Sequence, residues 1–276
     1  MGTLKGKTLF ISGATRGIGK AIALKAAGDG ANVAVLGKTE VPHPKLPGSV
    51  RDTVREVVAA GGNAVACVCD IRFEDQVLAS VEQTVKAFGG IDVVVNNASA
   101  ISLTNTEATE LKRFDLMSNV NVRGTFLCTK ACLPHLKKSE NPHVLALAPP
   151  PSLDPKWYAP HLAYSLAKFG MSLCVLGWAR EFAPYGIGVN ALWPKTIIAT
   201  AAVKNLFGGD TTVARARKPE IVADAAHLVL TQESRSFTGR FCIDEDLLRE
   251  HGVSDFTGYA VDPDVSPLPD LFVSPD

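Results

Sequence analysis

Leu9-Phe10-Ile11-Ser12-Gly13-Ala14-Thr15-Arg16-Gly17-Ile18-Gly19 is followed by a helical pattern from Lys20 to Ala27. A short apolar run, a glycine-rich turn and a helix in that order open a dinucleotide-binding βαβ unit. Glycines there let the backbone approach a pyrophosphate and let the helix pack closely, with its N-terminus towards the anion. The spacing is Gly-x-x-x-Gly-x-Gly, so the turn reads either as a nucleotide cradle or as a plain loop, and the rest of the chain has to decide.

Outward from that turn, apolar strand runs alternate with helical patterns. Strands are expected at Asn32 to Leu36, Ala64 to Val68, Ile91 to Val95, Val144 to Ala148, Gly188 to Leu192 and Arg240 to Ile243. Helices are expected near 49–60, 75–88, 111–136, 161–182 and 219–230, with Gly61-Gly62 and Gly89-Gly90 as stops. Ile91 to Val95 is apolar throughout, as a strand covered on both faces must be. This alternation predicts an α/β fold: a single Rossmann-like, doubly wound parallel sheet with helices on both faces. Val41 to Gly48, with three prolines, reads as an irregular loop. Residues 1–253 are expected to form one dinucleotide-binding domain. Residues 254–276, with four prolines, five aspartates and no helical period, are expected to form a tail lying on the surface or partly disordered.

Composition narrows the function classes. With 28 basic and 28 acidic residues there is no charge excess to hold nucleic acid or an anionic membrane. No apolar run reaches the roughly 18 residues of a membrane span, and the first apolar run is too short for a signal peptide. Six cysteines in 276 residues make no disulfide framework, so a reducing compartment, the cytoplasm, is expected. Cys128, Cys132 and His135 share a helix face, which reads as metal ligands or as a packed face; no second pair of ligands accompanies them, and no metal is expected.

Several residues carry candidate chemistry. Tyr164 and Lys168 lie four apart on a helix and share a face. An ammonium near a phenol favours its phenolate, which free tyrosine forms only at a pKa of about 10. Such a pair can move a proton during hydride transfer to or from a carbonyl carbon. After the second strand the chain reads Gly37-Lys38-Thr39, with no acid at the strand end, although Glu40 is close. Lys38 and Arg16 read as a 2′-phosphate site, which favours NADP, or as two solvated cations. Asp70, after the third strand, could accept the adenine amino group or cap the next helix. Asn119, Asn121 and Arg123 sit inside a helix that has little use for asparagine, so Asn121 points to solvent or has a polar role.

Together, Gly13-x-x-x-Gly17-x-Gly19, Asp70, Asn96-Asn97-Ala98, Asn121 in Asn-Val-Arg-Gly, Tyr164-x-x-x-Lys168 and Pro194 resemble the short-chain dehydrogenases/reductases, along nearly the whole chain to about residue 246. The stretches 38–46, 97–106 and 190–196 are similar to a hydroxysteroid dehydrogenase-like group within that family. Eukaryotic members of that group carry an added sterol-carrier domain, which is not expected in this chain.

The resemblance implies Tyr164 as acid/base, Lys168 as the cation that lowers its pKa and holds the nicotinamide ribose, and Asn121 as the anchor of a proton-relay water. It implies cofactor contacts at Gly13, Ala14, Thr15, Arg16, Gly17, Ile18, Gly19, Lys38, Asp70, Asn97, Tyr164, Lys168, Pro194 and Thr196. The family also places a carbonyl-polarising serine after the fifth strand. Here Pro149 or Pro151 stands there, and proline has no donor; Ser152 is expected to take the role. An apolar carbonyl or alcohol substrate of lipid, steroid or acyl type is expected, in a homodimer or homotetramer paired through helices 111–136 and 161–182 that buries Cys128 and Cys132 near the two-fold axis. The alternative is a nucleotide-binding regulatory or structural protein of the same fold, with weak or no turnover.

Overall fold

The structure, a computed structural model, describes residues 2–41, 48–206 and 209–274. Most of the loop expected at Val41 to Gly48, residues 42–47, lies outside the described residues. The described residues form one seven-stranded sheet, all of it parallel, in the order β3-β2-β1-β4-β5-β6-β7. The strands are β1 (Thr8–Ser12), β2 (Asn32–Gly37), β3 (Asn63–Val68), β4 (Val93–Asn96), β5 (His143–Leu147), β6 (Gly188–Trp193) and β7 (Phe241–Ile243). The larger helices are α1 (Gly17–Gly28), α2 (Val50–Ala59), α3 (Glu74–Phe88), α4 (Leu111–Met117), α5 (Gly124–Leu136) and α6 (Leu162–Glu181). After β6 come α7 (Ala201–Leu206), α8 (Asp210–Ala214), α9 (Glu220–Leu230) and, after β7, α10 (Asp244–Glu250).

Side chains alternate along each strand, so one sequence feeds two cores. Leu9, Ile11, Val33, Val35, Val93 and Val95 face a core roofed by α1, α2, α9 and α10. Phe10, Ala34, Val94, Val144 and Ala146 face the opposite core, closed by residues of α3, α5 and α6. Phe10 has no exposed surface; a phenylalanine at such a position, cut to alanine, costs about 3–5 kcal/mol. Gly89 ends α3 in the left-handed conformation at φ +86°, where a side chain would be strained.

Four expectations need correction here. The helix expected from 111 to 136 is interrupted by a π-helical turn at Ser118–Arg123. Cys128 and Cys132 are fully buried within the single chain, in the core beneath the sheet, so they do not await an interface. Burial pushes both thiols up, so they stay protonated. One helix, α6, is long and apolar enough to cross a membrane, yet more than half of it is buried in the fold. Finally, the segment after residue 253 does not simply lie on the surface: Phe272 is 6% exposed and belongs to a third cluster with Tyr164, Phe169 and Trp193.

Candidate active site

The sheet order reverses between β1 and β4, and the crevice at their carboxyl ends is where an open α/β sheet holds a ligand. Gly13 and Gly17 have φ of +67° and +55°. A Cβ on Gly13 would lie 2.9 Å from Asn97 Nδ2 and from Ala98 Cα, and one on Gly19 would lie 2.4 Å from Asn97 Nδ2. The tightness comes from Asn97, whose amide donates to Ser12 O at 2.9 Å and Gly13 O at 3.0 Å. Gly13, Thr15, Arg16, Gly17, Ile18, Lys38, Asp70 and Asn97 line the resulting cleft. Ala14 and Gly19 are buried and shape the turn instead; the Ala14 N–H donates to Leu36 O at 3.0 Å. α1 starts with no side-chain cap and no acid in its first turn, which leaves its amides for an anion in the cleft. The left-handed glycines, the uncapped helix end and the basic residues beside them fit a dinucleotide.

At the far end of the cleft, Arg16 Nη2 donates to Thr39 Oγ1 at 3.3 Å and Gly48 O at 3.2 Å, while its Nε is buried with no partner among the described residues. The Lys38 side chain is 63% exposed, its Nζ 3.8 Å from Asp70 Oδ2. Glu40 is turned to Arg51 at 2.5 Å. Asp70 does not cap α3, whose N-cap is Phe73. It is forked by Arg72, with Nε at 3.0 and 3.1 Å and Nη2 at 2.7 Å. Burial raises the Asp70 carboxyl, but the Arg72 bonds and the Lys38 charge outweigh it and hold it below its usual range. Arg72 was not foreseen, because two residues after an aspartate is no motif.

Tyr164 and Lys168 are both buried and share one cavity with Trp193, Pro194, Ile198 and Leu271. This cavity and the cleft have Ile18, Asn97, Ser99, Thr200 and Ala202 in common, so they meet. The Lys168 ammonium donates to Leu147 O at 2.8 Å and sits 5.1 Å over the Trp193 ring. Burial lowers it to about 7, against the opposing pull of the Asp270 charge. Burial and the Asp270 charge push the Tyr164 phenol up. This direction is opposite to the lowering by Lys168 that was expected, and burial favours the neutral phenol.

Asn121 lies in the π-helical turn and is fully buried. Its Oδ1 accepts the Ala100 N–H at 2.7 Å and its Nδ2 donates to Ala100 O at 3.0 Å, so its amide is used inside the fold, where it pins the loop after β4. Such turns recur at functional sites because they displace backbone groups from the helical ladder.

Ser152 does not reach this cavity. Its hydroxyl accepts the Asp154 N–H at 3.1 Å, and its carbonyl accepts the Tyr158 hydroxyl at 2.6 Å. It lines a different cavity with Pro151, Leu153, Tyr158, Phe169 and Leu173. The expectation that Ser152 replaces the missing donor fails because a local turn holds its hydroxyl and the proline run leads away from Tyr164. Pro149 contributes only its carbonyl, to the Ser172 hydroxyl at 2.6 Å. Pro194 lines the Tyr164 cavity, whereas Thr196 is buried outside its lining, its Oγ1 without a partner among the described residues.

The C-terminal segment supplies what the sequence reading missed. The Asp270 N–H donates to Lys195 O at 3.0 Å, and the Trp193 indole donates to Leu271 O at 2.7 Å. The Phe272 ring then meets Trp157, His161, Tyr164, Phe169 and Trp193, with centroids 5.0 to 6.0 Å apart. Asp270 and Leu271 thereby line the Tyr164 cavity. The available signal was a leucine and a phenylalanine close together at the end of a polar tail.

Residues 7–210 match the family model for short chain dehydrogenases. The chain is 56% identical over 272 residues to the hydroxysteroid dehydrogenase-like protein 2 of Danio rerio, covering 99% of this chain and 65% of that protein. It thus spans less than two-thirds of that relative's length. A crystal structure of a short chain dehydrogenase from Mycobacterium thermoresistibile is 52% identical, with a TM-score of 0.93 over 99% of this chain and 96% of that one. A short chain dehydrogenase from Burkholderia cenocepacia, 27% identical with a TM-score of 0.73 over 87% of this chain and 96% of that one, was solved with NADP. A further short chain dehydrogenase, from Mycobacterium paratuberculosis, was solved with NAD; it is 24% identical, with a TM-score of 0.73 over 88% of this chain and 97% of that one. With its reversing parallel sheet, its glycine cleft and its Tyr164–Lys168 cavity, this chain belongs to the short-chain dehydrogenase/reductase family.

Proposed function

We propose that the chain is an NADP-dependent oxidoreductase that interconverts a carbonyl and a secondary alcohol on an apolar substrate. The observation that carries this is the meeting of the glycine cleft with the Tyr164–Lys168 cavity. Gly13, Thr15, Arg16, Gly17 and Ile18 would hold the dinucleotide, which when bound would supply or accept the hydride. Tyr164, a neutral phenol, gives its proton to the carbonyl oxygen as the hydride reaches carbon. Lys168 stands in the same cavity, its Nζ donating to Leu147 O, and Asn121 fixes the loop between cleft and cavity. Ile101, Leu147, Trp193, Ile197, Ile198 and Leu271 make the cavity wall largely apolar, which suits a lipid-, steroid- or acyl-like substrate.

Arg16 and Lys38 favour a 2′-phosphate over a free ribose hydroxyl, since both cations stand where β2 ends and an acid is lacking. Titration of nicotinamide fluorescence tests this: NADPH is expected to bind far more tightly than NADH, and equal affinities would sink the assignment. Turnover of ketones, diketones and acyl-thioester ketones tests the reaction itself.

The exposed faces of α4, α5 and α6 carry Leu111, Phe114, Phe126, Leu166, Leu173 and Leu176. An apolar surface of this kind supports a homodimer or homotetramer, which sedimentation at micromolar concentration tests; a strict monomer would contradict it. The six free thiols suit a reducing compartment such as the cytoplasm.

A further inference from the structure

Resting on that reading, a carbonyl under hydride attack needs donors aimed at the oxygen where charge develops. Tyr164 is one. The chain after β5 offers no second: Pro149, Pro150 and Pro151 lack the N–H, and Ser152 faces another cavity. In the C-terminal segment, the backbone of Asp270 is fixed by its N–H bond to Lys195 O, and the residue lines the cavity together with Tyr164 and Lys168. Its Oδ1 accepts the Leu271 N–H at 2.6 Å, which leaves Oδ2 as the oxygen available to carry a proton.

We propose that Asp270, which the C-terminal segment places in the Tyr164 cavity, is a catalytic residue: its carboxyl group donates the second hydrogen bond to the substrate carbonyl oxygen, beside that of Tyr164. During reduction the hydride goes from the dinucleotide to carbon, the Tyr164 proton goes to oxygen, and Asp270 keeps its own proton throughout. A carboxylic acid kept neutral near pH 7 is a workable donor. A carboxylate at the same place would oppose the developing charge.

The surroundings favour the neutral form. Burial is the first cause and the charge of Asp244, at the start of α10, adds to it, while the Leu271 N–H and the Lys168 charge act the other way; Asp270 is raised to about 7. Tyr164 on α6 lines the same cavity, and Lys195 after β6, whose carbonyl Asp270 bonds, has its ammonium 3.1 Å from Asp246 and 3.8 Å from Glu245. The sign follows: the acid donates below neutral pH, and the donor is lost as pH rises through about 7.

The test compares Asp270→Asn, which keeps an N–H donor of the same shape, with Asp270→Ala, which keeps none. Steady-state reduction of the best ketone is expected to lose on the order of 10²-fold in kcat for Asp270→Ala, with KM and NADPH affinity changed only a few-fold. Asp270→Asn is expected to recover most of that loss. Carbon-13 NMR of the wild-type carboxyl, assigned by its absence in Asp270→Asn, is expected to show titration near neutrality, and this needs neither substrate nor turnover. An Asp270→Ala enzyme as fast as wild type, an Asn variant as slow as the alanine one, or a carboxyl titrating in the ordinary aspartate range would each overturn the proposal. Failure of the underlying reading looks different: Tyr164→Phe would then also leave turnover unchanged.

Discussion

Two segments flank the Tyr164 cavity, the proline run after β5 and the C-terminal segment after α10. The first leaves the sheet beside Tyr164 in the chain's own order, yet its polar groups are used elsewhere: Pro149 O on Ser172, Ser152 O on Tyr158. The second is about a hundred residues further on, yet it places a carboxyl in the cavity and an aromatic ring against Tyr164. Each is held by backbone hydrogen bonds, but to different partners. The proline run is tied to α6 and what precedes it, away from the cavity. The C-terminal segment is tied to Lys195 and to Trp193, the latter on the cavity wall. Which segment serves the site is decided by where its backbone bonds go, and nearness along the chain is a poor guide to that.

The largest effect sets the scale for that contrast. Tyr164→Phe removes the proton donor common to both halves of the cavity and should lower kcat by about 10²–10⁴-fold, the usual range for a lost general acid. NADPH affinity, read by fluorescence, should barely change. A phenylalanine variant with normal turnover would leave neither segment anything to assist.

Phe272→Ala asks how firmly the second segment is seated. A buried phenylalanine cut to alanine costs about 3–5 kcal/mol in a core, and a terminal segment that can open by itself should show no more than that. Hydrogen exchange should accelerate at the amides of Asp270 and Leu271 while β1, β4 and β5 keep their protection. Equal loosening of the sheet would mean that the segment is part of the global fold.

Lys38→Ala probes the far end of the cleft, remote from both segments. It should lower the preference for NADPH over NADH by about 1.5–3 kcal/mol, the worth of a hydrogen bond to a charged group. Turnover at saturating NADPH should hold. If turnover falls as well, nucleotide seating and the catalytic cavity are coupled, and the contrast between the two segments has to include the cleft.

The smallest effect is the sharpest on the first segment. Ser152→Ala should leave kcat within about two-fold, far from the 10²-fold of a lost oxyanion donor, because its hydroxyl serves only the Asp154 turn. A large loss there would restore the proline run as the catalytic wall and demote Asp270.

Much of the molecule was legible in the residues. Apolar runs with alternating faces located the strands, and the stretch from Leu9 to Gly19 located the cleft, because glycines at positive φ and a helix start are local requirements of the backbone. Tyr164 and Lys168 share a face by helical spacing alone. The short helices α7, α8 and α10 escaped, since five to seven residues are too few to show a period. The π-helical turn escaped as well: nothing in Ser118–Arg123 announces an extra residue per turn, although the buried Asn121 was a hint.

The sequence by itself therefore determined the sheet, its two cores, the dinucleotide cradle and the Tyr164–Lys168 pair, all of which follow from interactions within a few residues or from a repeating period. Only the tertiary structure decided that Arg72 holds Asp70, that Ser152 is turned away, and that Asp270 and Phe272 return to Tyr164 and its cavity. For the returning segment the physical reason is distance along the chain. Phe272 finds its partners at residues 157–193, from a segment with no period of its own, and only the finished surface of β6 and α6 selects it.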